Sequence, residues 1–246
     1  MRVTQVTDSS QFDKLAADWN RLAAGVPFRT HAWLASWWEH YGHGRELSLL
    51  LVRDITDRLV GLAPWFQEPS TTKGQTLAFL GSGEVCTDYL SVLAEPEQTT
   101  GVVMAIAKWL REEHESSWDL LHLNGFVADD PAITQLAEKL TELGLTAHER
   151  PGMNCWRIAL PTEWEAYIES LSKSHRKQVR RVDRRLVDSG EAVLRCVEQP
   201  AELDAALAIL IDLHQRRRHS LGEPGCFADA RFEGFLRIAA RRLLAL

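Results

Sequence analysis

The chain has 246 residues, 45% of them hydrophobic and 25% charged, with a formal net charge of −6, a composition suited to one large or two small globular domains. No apolar run approaches the ~18 residues of a membrane span and MRVTQVTDSSQFDK has no apolar signal core, so a cytoplasmic protein without a membrane span is expected. The widely spaced Cys86, Cys155, Cys196 and Cys226, with no CxxC, argue against a disulfide framework and a structural zinc site, and the acidic balance argues against general nucleic-acid binding, which needs cations gathered on one face.

MRVTQVT reads as a short strand. QFDKLAADWNRLAA then places Phe12, Leu15, Trp19 and Leu22 on one helical face, ended by Gly25 and Pro27. THAWLASWWEHY is a second helix with Trp33, Trp37 and Trp38 clustered. LSLLLVR and RLVGLAPWFQ, joined by DITD, predict a hairpin. Strands are expected at Gln75–Leu80 and Thr87–Leu93, on either side of GSGEVC. A helix should run from about Glu97 to His114, followed by a strand at Trp118–Leu123, a helix at Pro131–Leu143, and strands at Leu145–Arg150 and Asn154–Leu160. This alternation predicts an α/β (α+β) class, with a mixed sheet flanked by helices over residues 1–160.

Residues 161–190 predict a two-helix basic linker. Thr162 and Glu165 match a capping box, and Ser174 is placed to cap a second helix ending at Gly190. Within it, SLSKSHRKQVRRVDRRL holds seven Lys/Arg against one acidic residue, a local +6 that leaves −12 for the remainder. From 191 the chain repeats its opening: EAVLRCVE as a strand, AELDAALAILIDLH as a helix, and DARFEGFLRIAARRLLAL as a second helix. Residues 191–246 are therefore expected to be the β-α-α opening of a second, incomplete domain, whose uncovered apolar faces favour self-association.

The element order to residue 160 resembles the GNAT acyltransferase fold. The stretch ESLSKSHRKQVRRVDRRLVDSGEAVLRCVEQPAELDAALAILIDLHQRRR, with FADARFEGFLRIAARRLL, resembles the tandem-GNAT acetyltransferases associated with cellulose and exopolysaccharide biosynthesis, and more distantly the Fem-type aminoacyltransferases. The resemblance implies transfer of an acetyl or acyl group from acetyl-CoA or another acyl-CoA. The acceptor would be an amine or hydroxyl of a saccharide, nucleotide sugar or peptide. It also implies a glycine-rich turn for the donor pyrophosphate. In the first copy that junction reads LSVLAEPEQTTGVVMAIAKWL, with Gly101 alone among Glu95 and Glu97, and the second copy does not reach it. The donor site therefore appears absent, and a catalytically inactive binding module is the alternative.

Four sets of residues are candidates for chemistry. Lys173, Arg176, Lys177 and Arg180 begin the basic helix, where the macrodipole disfavours cations unless an anion binds; a solvated or ion-paired face is the plain alternative. Asp88 and Tyr89, at the start of an expected strand, would position an acceptor amine and protonate a leaving thiolate, or else be a turn aspartate and a half-buried tyrosine. Arg29 and Trp65 are candidates for lining an acceptor cleft. Cys86 lacks a local histidine to activate it. His40 with His43 lacks further metal ligands, and His122 sits in an expected strand, so no metal is expected.

Overall fold

The computed structural model of the chain describes residues 1–113 and 117–246; the expected helix end at His114 lies outside the described residues. The chain divides into two compact units, residues 1–152 with 199–246, and residues 153–198.

The larger unit is a six-stranded mixed sheet flanked by helices, as the sequence predicts. Strands β1 (Arg2–Val6), β2 (Glu46–Arg53), β3 (Leu59–Ser70) and β4 (Gly74–Phe79) follow one another antiparallel. The short β5 (Leu93–Ala94) pairs with β3, and β6 (Leu120–Leu121) lies parallel to β4. β2 and β3 are buried on both faces, so ELSLLLVR and LVGLAPWF read as continuous apolar runs instead of alternating.

Helices α1 (Phe12–Leu22), α2 (His31–Tyr41), α3 (Thr99–Lys108) and α4 (Pro131–Glu142) follow the periodicity of the sequence. α2 packs on the sheet face that carries Phe66, whose ring centroid lies 5.1 Å from that of Trp37. α3 covers the opposite face at Gly61, where a Cβ would stand 2.3 Å from Val102 Cγ1. The missing side chain is what lets helix and sheet approach so closely.

The last two helices, α7 (Pro200–His219) and α8 (Ala230–Leu244), belong to this same unit. Phe235 and Ala239 of α8 are fully buried, and Phe235 meets Trp33 edge-on at 4.8 Å. α2 therefore has the sheet on one side and α8 on the other. That is why its tryptophans are not confined to one stripe and why Ala32, Leu34 and Ser36 are buried too. Arg242 fastens the pair, its guanidinium donating to Ser36 Oγ at 3.1 Å and to Glu39 at 2.7 Å.

Four expected strands are not formed. Residues 87–92 are loop, with only Leu93–Ala94 extended into the sheet. Residues 145–150, 154–160 and 191–198 also carry no strand: Trp156 is 99% exposed and Leu194 92%. Alternating apolar residues form a strand only where a neighbouring strand satisfies the backbone and a surface buries one face. Those segments have neither, so 191–246 contains two helices without the expected leading strand.

The smaller unit holds α5 (Trp164–Ser170) and α6 (Lys173–Val182), the latter continued by a π-helical turn at Asp183–Val187. The expected caps are displaced. Glu163 precedes α5 without a side-chain cap, and Ser172, not Ser174, caps α6 by accepting from His175 N at 3.4 Å. A capping box does form, at Gln199 and Glu202 ahead of α7.

Candidate functional site

Asp88 and Tyr89 lie on the loop between Leu80 and Val92, not on a strand. Gly81 and Gly83 turn the chain with φ of +90° and +89°, and Cys86 and Tyr89 adopt the left-handed region at +51° and +62°. A bulky residue such as Tyr89 seldom does so, and such strain persists only where surrounding contacts impose it. Here Thr87 Oγ1, buried, accepts from Trp33 Nε1 at 3.1 Å; Leu90 N donates to Gly125 O at 2.9 Å; and Arg29 Nε donates to Tyr89 O. The pinned loop leaves Asp88 exposed and Tyr89 38% exposed.

Arg29 is an anchor for this loop. Besides holding the Tyr89 carbonyl, it pairs with Asp130 at 3.1 Å. Asp130, 7% exposed, caps α4 by accepting from Ala132 N and Ile133 N at 3.1 and 3.2 Å, and it accepts from Ser91 Oγ at 2.9 Å. Arg29, Ser91 and Asp130 thus tie the C-terminal end of the loop to the start of α4. Sequence reasoning missed Asp130 as the centre of this network, although an aspartate directly before Pro131 is a helix-start signal. Trp65 is wholly buried between sheet and helices, so it is a core side chain and lines no open cleft. It sits on a strand with both faces covered, which the pattern APWFQ does not reveal.

The remaining candidates are dispersed. Cys86 is exposed, with no histidine bonded to it among the described residues. His40 Nδ1 contacts Ser36 O at 2.9 Å within α2, and its ring meets Phe235. Burial, with Lys73 as a smaller cause, pushes His122 below the usual histidine range.

At the start of α3 the carboxylate of Glu95 is gripped by both Arg21 and Arg58, and Pro96 opens the 3-10 turn that leads into the helix. Gly101 packs under Met1, whose Cε would lie 2.7 Å from a Cβ there. A held carboxylate, a proline without an N–H and a covered glycine do not fit a pyrophosphate.

In the smaller unit, Lys173, Arg176, Lys177, Arg180 and Arg184 form a stripe along α6 and its continuation, with Asp183 set among them and Asp188 at the far end. Spacings of three and four place them on one helix face. Two of the cations have structural work. Arg180 pairs with Glu165 at 2.8 Å, and Arg176 donates to the carbonyls of Glu169 and Leu171 at 2.7 and 3.2 Å, fastening α6 to the end of α5. Lys173, Lys177, Arg181 and Arg185 make no ion pair among the described residues of this unit. The stripe thus keeps a net positive charge, five cations facing Asp183, Asp188 and the Glu165 partner of Arg180.

Residues 173–245, from the start of α6 through α8, match the family described as the acetyltransferase (GNAT) domain. The match covers less than a third of the chain. Nothing among curated proteins matches the sequence. Among solved structures, a probable acetyltransferase is 12% identical, with 66% of this chain and 100% of the other covered at a TM-score of 0.41. A mutant protein from Bacillus halodurans is also 12% identical, with 64% and 100% covered at a TM-score of 0.35. No helix among the described residues is long and apolar enough to cross a membrane.

Proposed function

We propose that this protein is a GNAT-type acyltransferase that moves an acetyl or other acyl group from acyl-CoA to an amine or hydroxyl. The acceptor is a saccharide, nucleotide sugar or peptide, and the setting is polysaccharide or cell-envelope metabolism in the cytoplasm. The observation that carries the reading is the match of residues 173–245 to the acetyltransferase domain family. Its members' tandem arrangement and their likeness to Fem-type enzymes belong to the same proposal.

Acetyl-CoA, when bound, supplies an activated thioester and an anionic tail. The start of α3 does not suit that tail, for the reasons given above. The α6 stripe does, and Lys173 and Lys177 are its free cations at the helix start, with Arg176 and Arg180 beside them. Asp88, exposed on a rigid loop, is suited to orient an acceptor amine and take its proton, and Tyr89 to donate a hydrogen bond. Exposed Ile209, Leu210 and Leu213 on α7 support self-association.

A second reading, a binding module without catalysis, is favoured by the occupied start of α3. A thermal melt with acetyl-CoA separates the two. Saturation at about 100 times the dissociation constant adds about 2.7 kcal/mol, a shift of a few degrees. No shift at millimolar ligand favours the binding module.

A further inference from the structure

The loop between α7 and α8 brings together three side chains with complementary chemistry. Cys226 Sγ lies 3.5 Å from His214 Nε2, and His214 Nδ1 lies 3.0 Å from Gln215 Oε1. The orientation of the Gln215 amide is fixed independently, because its Nε2 donates to Pro224 O at 2.9 Å. Oε1 must then be the atom that faces the imidazole, and it can only accept. His214 therefore carries its proton on Nδ1, and the Nε2 lone pair faces the sulfur.

The surroundings hold this arrangement. The Phe227 ring stands edge-on to His214 at 5.0 Å, and Gly225, at φ +75°, leaves room that a Cβ would take 2.2 Å from Gln215 Oε1. Cys226 itself is exposed, so a reagent can reach it. Partial burial nevertheless pushes the thiol up, opposed by its own backbone N–H, by Arg218 and by the N–H of Phe227. Such a thiol is protonated at neutral pH and needs a base at the moment of attack.

We infer that Cys226, His214 and Gln215 form a nucleophilic triad whose substrate is an acyl thioester. His214 Nε2 removes the thiol proton as Sγ adds to the thioester carbonyl. Collapse of the tetrahedral oxyanion breaks the donor C–S bond, and the departing thiolate takes the proton back from His214. The acyl group is then a thioester on Cys226. An amine acceptor attacks it in turn, the Cys226 thiolate leaves, and the amine's surplus proton ends on the sulfur. The choice of a thioester rests on the acyltransferase reading; the nucleophilicity of Cys226 rests on the geometry alone.

The test treats the full chain with a small acyl thioester lacking the nucleotide, S-acetyl-N-acetylcysteamine, and with acetyl-CoA, and maps adducts by mass spectrometry. Cys86, Cys155 and Cys196 are also free and exposed and serve as controls within the same molecule. The expected result is acetylation of Cys226 ahead of the other three, discharged by added amine and slowed on the order of 100-fold in His214→Ala. His214→Gln, checked for an unchanged melting temperature, guards against misfolding of the alanine variant. Equal labelling of all four cysteines, no label on Cys226, or labelling unaffected in folded His214→Gln overturns the triad. Labelling by the small thioester but not by acetyl-CoA keeps the triad and removes the CoA donor. A melting shift with acetyl-CoA and no adduct does the reverse.

Discussion

Phe235 of α8 stacks edge-on against Trp33 of α2, with ring centroids 4.8 Å apart and planes at 81°. Through this contact a helix from the end of the chain completes the core begun by the first forty residues. Phe235→Ala would leave a cavity lined by Trp33, His40 and Tyr41 and should cost about 3–5 kcal/mol. Urea unfolding followed by tryptophan fluorescence checks it; a change below 1 kcal/mol would mean that α8 is not part of the cooperative unit.

Asp130 and Asp88 should separate stability from chemistry. Asp130→Ala removes the ion-pair partner of Arg29, uncaps α4 and takes away one of the two acceptors of Ser91, a loss of about 3 kcal/mol. Asp88→Ala removes an exposed side chain and should change stability by less than about 0.5 kcal/mol. If Asp88 acts on the acceptor, its loss lowers acyl transfer by on the order of 100-fold with an unchanged melt.

The α6 cations divide in the same way. Lys173→Glu with Lys177→Glu should abolish the binding of phosphate-bearing ligands measured by calorimetry, because both are free of protein partners in their unit. Arg180→Ala should cost at most about 1 kcal/mol, since its pair with Glu165 is solvent-exposed. Equal ligand affinity in the lysine double variant and the native chain would remove the anion site.

His31 predicts a pH dependence. Burial holds it below the usual histidine range, opposed chiefly by Asp13, and its Nε2 has no hydrogen-bond partner. The unfolded chain takes up the proton first as pH falls below about 6.5, so stability is full above that value and declines as pH drops toward the folded pKa. The decline between pH 7.5 and pH 5 should be smaller in His31→Phe than in the native chain. Identical slopes would show that other groups carry the effect.

Gly61→Ala sets a Cβ 2.3 Å from Val102 and forces α3 away from the sheet. A loss of about 1–3 kcal/mol is expected, partly restored by Val102→Ala in the same chain, with thermal melts of the three variants as the measure.

The local pattern of residues determined much of this protein. α1, α2, α4 and the β2–β3 hairpin lie within a few residues of where periodicity, caps and turns put them, because each is specified by neighbours three or four positions apart, or by alternation with both partners close in sequence. The charge of α6 was legible for the same reason. Only the tertiary structure decided which patterns found a partner. Thr87–Val92 and Glu191–Glu198 have the composition of strands, yet neither pairs with a strand, and one became a strained loop while the other has no strand. Trp65 passed for a cleft residue because nothing nearby in sequence shows that α3 covers its face, and the pairing of Arg29 was hidden because its carboxylate lies 101 positions away. His214 and Cys226 are separated by twelve residues and a turn, so neither suggested the other. Burial, ion pairing and proton transfer depend on distances in space, and those are set by the packing of elements remote in the chain.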